Sequence, residues 1–414
     1  MITPSFGLTA TERVLPRMAL DFTTASLDPR VTFTRSGNTA TVVNSSGYVV
    51  GINADLPRFD YNPITLACKG LLIEESRTNL VLQSQDFSTT WVSNSTVTTN
   101  TTVSPSNVQD ADTLNATVAD QVTQQTVTVA NDTVTRTFSV FLKEGTAAKT
   151  TLRLLYQVGV ATSAQISITW STKVVTNDFS TVGLVFGAEN YGNGWYRLYL
   201  AFANNGLGNT QAVCRILPAG APIIGGTTGT VFAWGGQFEA GAFPTSYIPT
   251  TTATVTRNAD VATMTGTNFS SWYNQTQGAF AVQAIVPQIG KSGRLFAVDA
   301  GSTGNKTQIG VDTTNQVFIA SNVGGSFNGN TYTLNTVTAN VVFNVCAAYS
   351  TSLSEPISLN AGAVQSSNFS VATTMIQIYL GSQIGPSSFL NGCLSKINYW
   401  PQRLIDAEIQ AFSK

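Results

Sequence analysis

Histidine is absent from the 414 residues of this chain. Without an imidazole group, the chain has no Ser–His–Asp or Cys–His triad, no histidine metal ligand and no histidine pH switch. Carboxylate catalysis and serine–lysine catalysis remain open, but no converging pair of carboxylates is visible in the sequence. We therefore predict that the chain is not an enzyme.

Charged residues are scarce, at 10% of the chain, against roughly 25% in an average soluble protein. The formal net charge is −1, and lysine and arginine are not concentrated in any stretch. A protein that follows a phosphate backbone needs a basic surface. We therefore expect no nucleic-acid partner.

Cysteines are few and far apart: Cys68, Cys214, Cys346 and Cys393 show no CxxC spacing. This spacing gives no support to a zinc site or a dithiol redox motif. No apolar run is long enough to span a bilayer, and the first residues lack the basic flank and apolar core of a secretion signal. We therefore expect no membrane insertion, free and buried thiols, and neither a metal nor a cofactor.

An acidic loop is the alternative metal site. Asp110, Asp112 and Asp120 lie in a polar stretch, where carboxylate oxygens are able to bind calcium. Their spacing is not that of an EF-hand, so solvated loop charge is the preferred interpretation.

The residues that replace charge are small, polar or β-branched. Short runs that alternate apolar and polar residues, such as 137–143, 165–170 and 195–202, are separated by glycine- and asparagine-rich turns. This pattern is typical of β-sandwiches and jelly rolls. One helix is predicted, over residues 403–412, where the apolar residues share one face.

The sequence predicts an all-β chain with four parts and a short C-terminal helix. Residues 1–78 read as an N-terminal β module for anchoring or oligomerisation, and residues 79–250 as a first, jelly-roll-like sandwich. Residues 251–268 read as a Thr- and Ala-rich linker, and residues 269–414 as a second sandwich.

Three segments carry a family resemblance: GLLIEESRTNL at 70–80, GWYR at 194–197 with WGGQFEAGAFPTSYIPT at 234–250, and LNGCLSKINYWPQRL at 390–404. The first two are similar to the opening and closing strands of a carbohydrate-binding-like jelly roll in bacteriophage structural proteins. The third resembles the end of a concanavalin- or laminin-G-like sandwich. Ile405 stands where that group has serine at the helix start, so the N-cap oxygen is missing.

The resemblance implies a virion protein: a fibre or decoration subunit on the capsid or tail, assembled in the host cytoplasm. Its expected partners are other virion proteins, further copies of itself, most simply as a homotrimer, and host-surface glycans. Two alternatives stay open. One is a tail-spike-type glycan depolymerase, and the other is a decoration protein without a ligand.

Four aromatic residues are candidates for a glycan platform: Trp91, Trp272, Tyr273 and Trp400. Their rings are able to stack on sugars, but large aromatics in a β-sandwich are more often core residues. Glu74 and Glu75 are adjacent, so in a strand they point to opposite faces and do not form a catalytic pair. Glu75 shares a face with Arg77, which predicts an ion pair.

Overall fold

The computed structural model describes residues 15–180, 183–221, 226–385 and 387–414. The predicted fold class is confirmed: the regular secondary structure of the described residues is almost entirely β-strand, arranged in sandwiches, with a short C-terminal helix.

The N-terminal strands are β1 (Met18–Asp21), β2 (Thr32–Thr34), β3 (Ala40–Val43), β4 (Val49–Ile52), β5 (Phe59–Tyr61) and β6 (Cys68–Ile73), with a 3₁₀ turn at Phe22–Thr24. The central strands are β7 (Arg77–Asn79), β8 (Val92–Ser93), β9 (Thr96–Thr102), β10 (Ala111–Ala116), β11 (Thr123–Thr128), β12 (Thr135–Glu144), β13 (Lys149–Gln157), β14 (Thr162–Thr169), β15 (Val174–Ser180), β16 (Val185–Gly192), β17 (Trp195–Ala203), β18 (Gln211–Leu217) and β19 (Gly229–Ala240).

The C-terminal elements are β20 (Val255–Arg257), β21 (Val261–Thr265), α1 (Thr267–Ser270), β22 (Gln277–Ile285), β23 (Gly293–Asp299), β24 (Lys306–Val311), β25 (Gln316–Val323), β26 (Ser326–Thr336), β27 (Phe343–Ser350), β28 (Glu355–Leu359), β29 (Gln365–Ser367), β30 (Gln377–Leu380), β31 (Gly392–Trp400) and α2 (Asp406–Phe412).

The central sandwich consists of two six-stranded antiparallel sheets. Their strand orders are β16-β17-β12-β19-β10-β9 and β15-β14-β13-β18-β11-β8. Alternation along each strand builds the core, since successive side chains point to opposite faces. In β13, for example, Leu152, Leu154 and Tyr156 are buried in the core and Arg153 points away from it.

The C-terminal sandwich packs a seven-stranded sheet, β2-β21-β30-β23-β24-β25-β26, against a sheet ordered β29-β28-β27-β22-β31-β6-β5. Strand β1 also pairs with β31, which makes the second sheet eight-stranded. The two inner faces form the largest hydrophobic core of the described chain.

The structure divides the chain differently from the prediction. Strands β1, β5 and β6 belong to the eight-stranded sheet and β2 to the seven-stranded sheet, so these four strands of the predicted N-terminal module are part of the C-terminal sandwich, whereas β3 and β4 form a separate hairpin. The predicted linker at 251–268 includes β21, which pairs with β2 and β30. The sequence of a short strand shows only which of its own side chains are apolar. It does not show which distant strand it pairs with, so this division of the chain was not predicted. Residues 1–14 of the predicted module lie outside the described residues.

The hairpin β3–β4 covers part of the central sandwich. Val43 and Val49 pack with Trp195, Trp234 and Tyr247 in a separate hydrophobic cluster. These tryptophans lie on the outer face of the first six-stranded sheet. They are nevertheless buried, because the N-terminal hairpin lies over them.

A buried ion cluster joins the three parts of the chain. Asp260 pairs with Arg35 at 3.2 Å and with Arg58, and Glu74 pairs with Arg58 at 2.7 Å and with Arg257 at 3.5 Å. We call these five residues the ion cluster. Glu74 also accepts hydrogen bonds from the backbone and hydroxyl of Ser246, at 2.8 and 2.7 Å. The resembling segments at 70–80 and 234–250 thus meet at this joint.

The helix α2 begins at Asp406, three residues later than predicted. Ile405 offers no side-chain oxygen, as expected, but Glu408 Oε2 accepts the Ile405 N–H at 3.0 Å. Half of the capping box is therefore retained.

Candidate functional site

A cleft of about 570 Å³ lies between the two sandwiches and the N-terminal strands. This volume is within the usual range for ligand sites, which often lie between domains. The lining combines apolar side chains with many hydroxyl, amide and charged groups. The polar and charged members are Thr23, Thr41, Asp60, Asn62, Thr65, Lys69, Glu74, Glu189, Asn190, Tyr191, Arg197, Thr245, Ser246, Tyr247, Gln283, Asn340, Asn391 and Ser395.

Strand β16 supplies one wall, through Glu189 and Tyr191. Glu189 lies directly opposite Arg197 in the neighbouring strand β17. The ring of Tyr191 meets Phe141 edge-on, with 4.7 Å between centroids. Both side chains are half-buried. Among the described residues, neither the Glu189 carboxylate nor the Tyr191 hydroxyl has a hydrogen-bond partner, so both are available to a ligand.

Strands β5 and β6 supply another wall, through Asp60 and Lys69. These two side chains form an ion pair, and Asp60 Oδ1 also accepts the Val43 N–H at 3.0 Å. Lys69 keeps about a third of its side chain exposed. One ammonium donor is used by Asp60, so further donors of Lys69 remain for a ligand.

The pKa values of two carboxyl groups in the cleft, Glu189 and Glu74, are shifted in opposite directions. Burial raises the pKa of Glu189, and the nearby Asp60 and Glu74 add to this shift against the attraction of Arg197 and Lys69. Burial also favours the neutral form of Glu74, but Arg257 and Arg58 outweigh it and hold that pKa far below its usual range. Glu74 is thus a fixed anion, whereas Glu189 is the adaptable carboxyl group of the cleft.

The predicted glycan platform is not assembled. Trp91, Trp272, Tyr273 and Trp400 are only 4%, 3%, 8% and 2% exposed and lie in three different cores. Trp91 donates its indole N–H to the Gln83 carbonyl at 3.3 Å. All four are core residues, as the alternative interpretation predicted.

The structure also places the acidic residues that the sequence analysis singled out. Arg77 pairs with Glu75 at 2.5 Å, as predicted. Glu74 points to the opposite, buried side, so the two glutamates do not act together. Asp112 accepts the N–H groups of Phe87 and Asn100, at 2.8 and 3.0 Å, and so has a structural role. In the described ranges, no group of three acidic or cysteine side chains is placed to hold a metal ion.

All four cysteines are free, as expected. Cys214, Cys346 and Cys393 are buried, but Cys68 is only half-buried; Cys68 and Cys393 both line the cleft. Within the described part of the chain, none of the helices has the length and apolar character needed to cross a bilayer.

Sequence reasoning missed Glu189 and Tyr191. They precede GWYR and stand two residues apart in a strand, which places them on one face. The local sequence does not show that this face is uncovered at Glu189 and Tyr191. The neighbouring part of the same sheet is covered by the hairpin β3–β4, and only the tertiary structure shows where that cover ends.

Comparisons with known proteins give a fold likeness only. No family model matches the chain, and no curated protein matches it. Among solved structures, a carbohydrate-binding module (CBM40) of a Ruminococcus gnavus sialidase, bound to sialyllactose, matches at 15% identity and a TM-score of 0.31, over 35% of this chain and 86% of that one.

A pentraxin from Limulus polyphemus matches at 11% identity and a TM-score of 0.26, over 34% of this chain and 70% of that one. The leech trans-sialidase matches at 16% identity and a TM-score of 0.29, over 34% of this chain and 23% of its own. The neighbours are thus carbohydrate-binding modules and β-sandwich proteins. At these sequence identities and TM-scores, the likeness does not indicate what this chain binds.

Proposed function

We propose that this chain is a saccharide-binding structural protein, and that the cleft holds a short, uncharged oligosaccharide. The observation that carries the proposal is the pairing of an open aromatic ring, Tyr191, with a carboxylate that has no partner in the described residues, Glu189. Sugar hydroxyls donate to carboxylates, and the apolar faces of sugar rings pack on aromatic rings. Hydroxyl and amide groups around the cleft offer the additional donors and acceptors that a sugar needs.

Binding without turnover fits the charges better than glycan hydrolysis. A glycosidase uses two carboxyl groups that flank the bond to be cleaved. Here Asp60 is engaged by Lys69 and the Val43 N–H, and Glu74 by two arginines and Ser246. Glu189 alone is left, and one carboxyl group does not provide both an acid and a base or nucleophile.

The wider role that we propose is a subunit of a bacteriophage particle, either a fibre or a decoration protein. The support is the resemblance of the segments at 70–80, 234–250 and 390–404, together with the sparse charge and sheet-rich fold. A symmetric oligomer, with a trimer as the first candidate, would turn weak cleft binding into firm attachment, since several copies bind together. Light scattering tests the oligomer, and immunogold labelling of particles tests its location on head or tail.

A glycan array tests the cleft. The full chain is applied to neutral and acidic glycans, alongside Glu189→Ala and Tyr191→Ala. We expect binding of neutral glycans by the wild type and a loss of about tenfold or more in either variant. Glu144→Ala is the matched control, because Glu144 is an exposed carboxylate of the same sandwich outside the cleft lining.

Two results would contradict the proposal: no binding to any neutral glycan, or equal binding by wild type and both variants while their urea midpoints are unchanged. Release of reducing ends from a polysaccharide, lost in Glu189→Gln, would establish the depolymerase alternative instead.

A further inference from the structure

Two arginines lie side by side on the second sheet of the central sandwich, far from the cleft lining. Arg153 of β13 is directly opposite Arg215 of β18. Their neighbours along each strand, Leu152 and Leu154 in one and Cys214 and Ile216 in the other, are buried in the core. Successive residues of a strand alternate between faces, so both guanidinium groups are on the outer face.

This arginine pair has no counter-ion among the residues that the structure describes. In the described part of the chain, neither guanidinium forms an ion pair with a carboxylate, whereas seven other arginines do. Arg153 Nη2 donates to Ser163 Oγ at 3.3 Å, and the Nε–H groups of both arginines are buried without an acceptor in the described ranges. Burial, together with repulsion from Arg153, lowers the pKa of Arg215.

Like charges directly opposite one another in a sheet are destabilising. A pair that is half-buried and lacks a counter-ion is therefore costly in the free protein. An anion placed between the two guanidinium groups would supply the missing charge and bidentate acceptors.

Amide groups extend the arginine pair on both sides. Gln165 of β14 is opposite Arg153, and Gln124 of β11 is opposite Arg215. Gln124 Oε1 is buried and has no hydrogen-bond donor among the described residues. Phe179 of β15 follows next to Gln165 and is 37% exposed. The same register thus carries an aromatic ring, an amide, two cations and an amide across five adjacent strands, about 19 Å from end to end at the usual strand spacing.

A carboxylate on the same sheet, Asp178 of β15, is already engaged. Its Oδ2 accepts from the Ser167 hydroxyl at 2.5 Å and from Gln165 Nε2 at 3.5 Å, and its Oδ1 accepts from Thr176 at 2.9 Å. It lies on β15 next to Gln165, two strands away from Arg153 and three from Arg215, and leaves the arginine pair with a net positive charge.

We propose that this row, Phe179–Gln165–Arg153–Arg215–Gln124, binds an acidic oligosaccharide whose carboxylate or sulfate group lies between the two arginines. Gln124 then accepts from a hydroxyl group of a neighbouring sugar ring and Phe179 packs on an apolar ring face, whereas Gln165 is only 4% exposed and remains bound to Asp178. The inference is independent of the cleft, which differs in its residues, its sheet and the charge of its ligand.

Nucleic acid fits the row less well than an acidic saccharide. A strand of DNA or RNA presents a phosphate at every nucleotide and is bound by a run of cations. The row offers two cations flanked by neutral amides, which matches an anionic sugar next to uncharged hydroxyl-bearing rings.

Calorimetry with a matched pair of probes tests the proposal. Trigalacturonic acid and its methyl ester have the same sugar rings and differ in charge. We expect the full-length protein to bind the acid at least tenfold more tightly than the ester. Arg215→Gln should lose this preference, and binding should weaken as salt is raised from 50 to about 500 mM. Inorganic sulfate should compete only weakly, because it lacks the ring contacts.

Two control variants test whether acid binding depends on this arginine pair, and not on the overall charge of the protein or on the cleft. Lys291→Gln removes one positive charge from an exposed loop of the other sandwich and should bind the acid like the wild type, as should Tyr191→Ala. Arg215→Gln should not be less stable than the wild type in urea, since it removes a repulsion. Two results with the saccharides would overturn the proposal: no binding of the acid, or equal affinity for acid and ester. It would also be overturned if Arg215→Gln bound the acid like the wild type, if sulfate competed as strongly as the acid itself, or if single-stranded DNA bound more tightly than the acid.

Discussion

The ion cluster makes a quantitative prediction for Asp260→Asn. Asp260 has no solvent-exposed side-chain surface; its Oδ1 is 3.2 Å from Arg35, and its Oδ2 accepts from Arg58 and from the Glu74 N–H at 2.9 Å. The cluster contains three arginines and two carboxylates. The substitution leaves three buried cations facing Glu74 alone, and the asparagine NH₂ group points a donor at one of them.

Removing one partner of a buried ion pair typically costs 3–5 kcal/mol, because the remaining charge is left without compensation. Among the described residues, Arg35 loses its carboxylate partner and Arg58 loses one of its two, so we expect the free energy of unfolding to fall by at least about 3 kcal/mol. Asp28→Asn is the matched control. Its ion pair with Arg30, at 2.7 Å, has side chains that are 22% and 31% exposed. Pairs near the surface contribute about 0–1 kcal/mol.

Urea unfolding followed by tryptophan fluorescence measures both variants, with the midpoint and slope fitted separately because a chain of several sheets can depart from two-state behaviour. The cluster links segments of both sandwiches, so the loss should appear in the first transition. If Asp260→Asn is no less stable than Asp28→Asn, the cluster does not hold the chain together in the way described.

Three further predictions concern single residues. Burial raises the pKa of Glu355 to about 7. The folded protein therefore holds a proton that the unfolded chain releases near pH 4.5, so the free energy of unfolding falls as pH rises between these two values. Glu355→Gln should remove this fall and be more stable than the wild type by about 1–3 kcal/mol at pH 8. If the urea midpoint of the variant depends on pH as that of the wild type does, the raised pKa of Glu355 is wrong. Gly70 has φ +115°, and a Cβ there would lie 2.1 Å from the Leu394 carbonyl oxygen; Gly70→Ala should cost at least about 2 kcal/mol, whereas Gly51→Ala, with nothing within 4 Å, should be near neutral. Mass spectrometry after alkylation should find four free thiols in the unfolded chain. In the native protein Cys68 should be modified first, because burial raises the pKa of Cys214, Cys346 and Cys393. Faster modification of one of these three buried cysteines would contradict the structure.

Local patterns were sufficient to predict the fold class. Alternation in segments such as 137–143 and 195–202 reflects strands with one buried face, and turn residues mark their ends. The Glu75–Arg77 pair followed from the two-residue period alone. Burial of the four aromatic candidates agreed with the more general expectation for tryptophan and tyrosine in a sandwich.

The site depends on information that is not local. Whether Glu189 is covered depends on where the hairpin β3–β4 ends, more than a hundred residues earlier in the chain. Arg153 and Arg215 become neighbours only through the register between β13 and β18. The joining of β1, β2, β5 and β6 to the C-terminal sandwich is likewise set by pairing with β21 and β31, which no single strand encodes.

The position of the cleft couples its ligand to the arrangement of the sandwiches. Its walls come from β16 of the central sandwich, from β5 and β6 of the N-terminal segment, and from residues such as Asn391 beside β31. Glu74 contributes both to the lining and to the ion cluster, so the joint that orients the walls lies directly beneath the ligand. A ligand that touches several walls stabilises the assembled arrangement over any loosened one. Asp260→Asn should therefore weaken cleft binding, although Asp260 lies outside the lining, and a saturating neutral ligand should restore part of the lost stability. The arginine row lies within a single sheet, so acid binding there should survive the same substitution. Equal loss at both sites would show general unfolding, and retention of both would show that the joint does not shape the cleft.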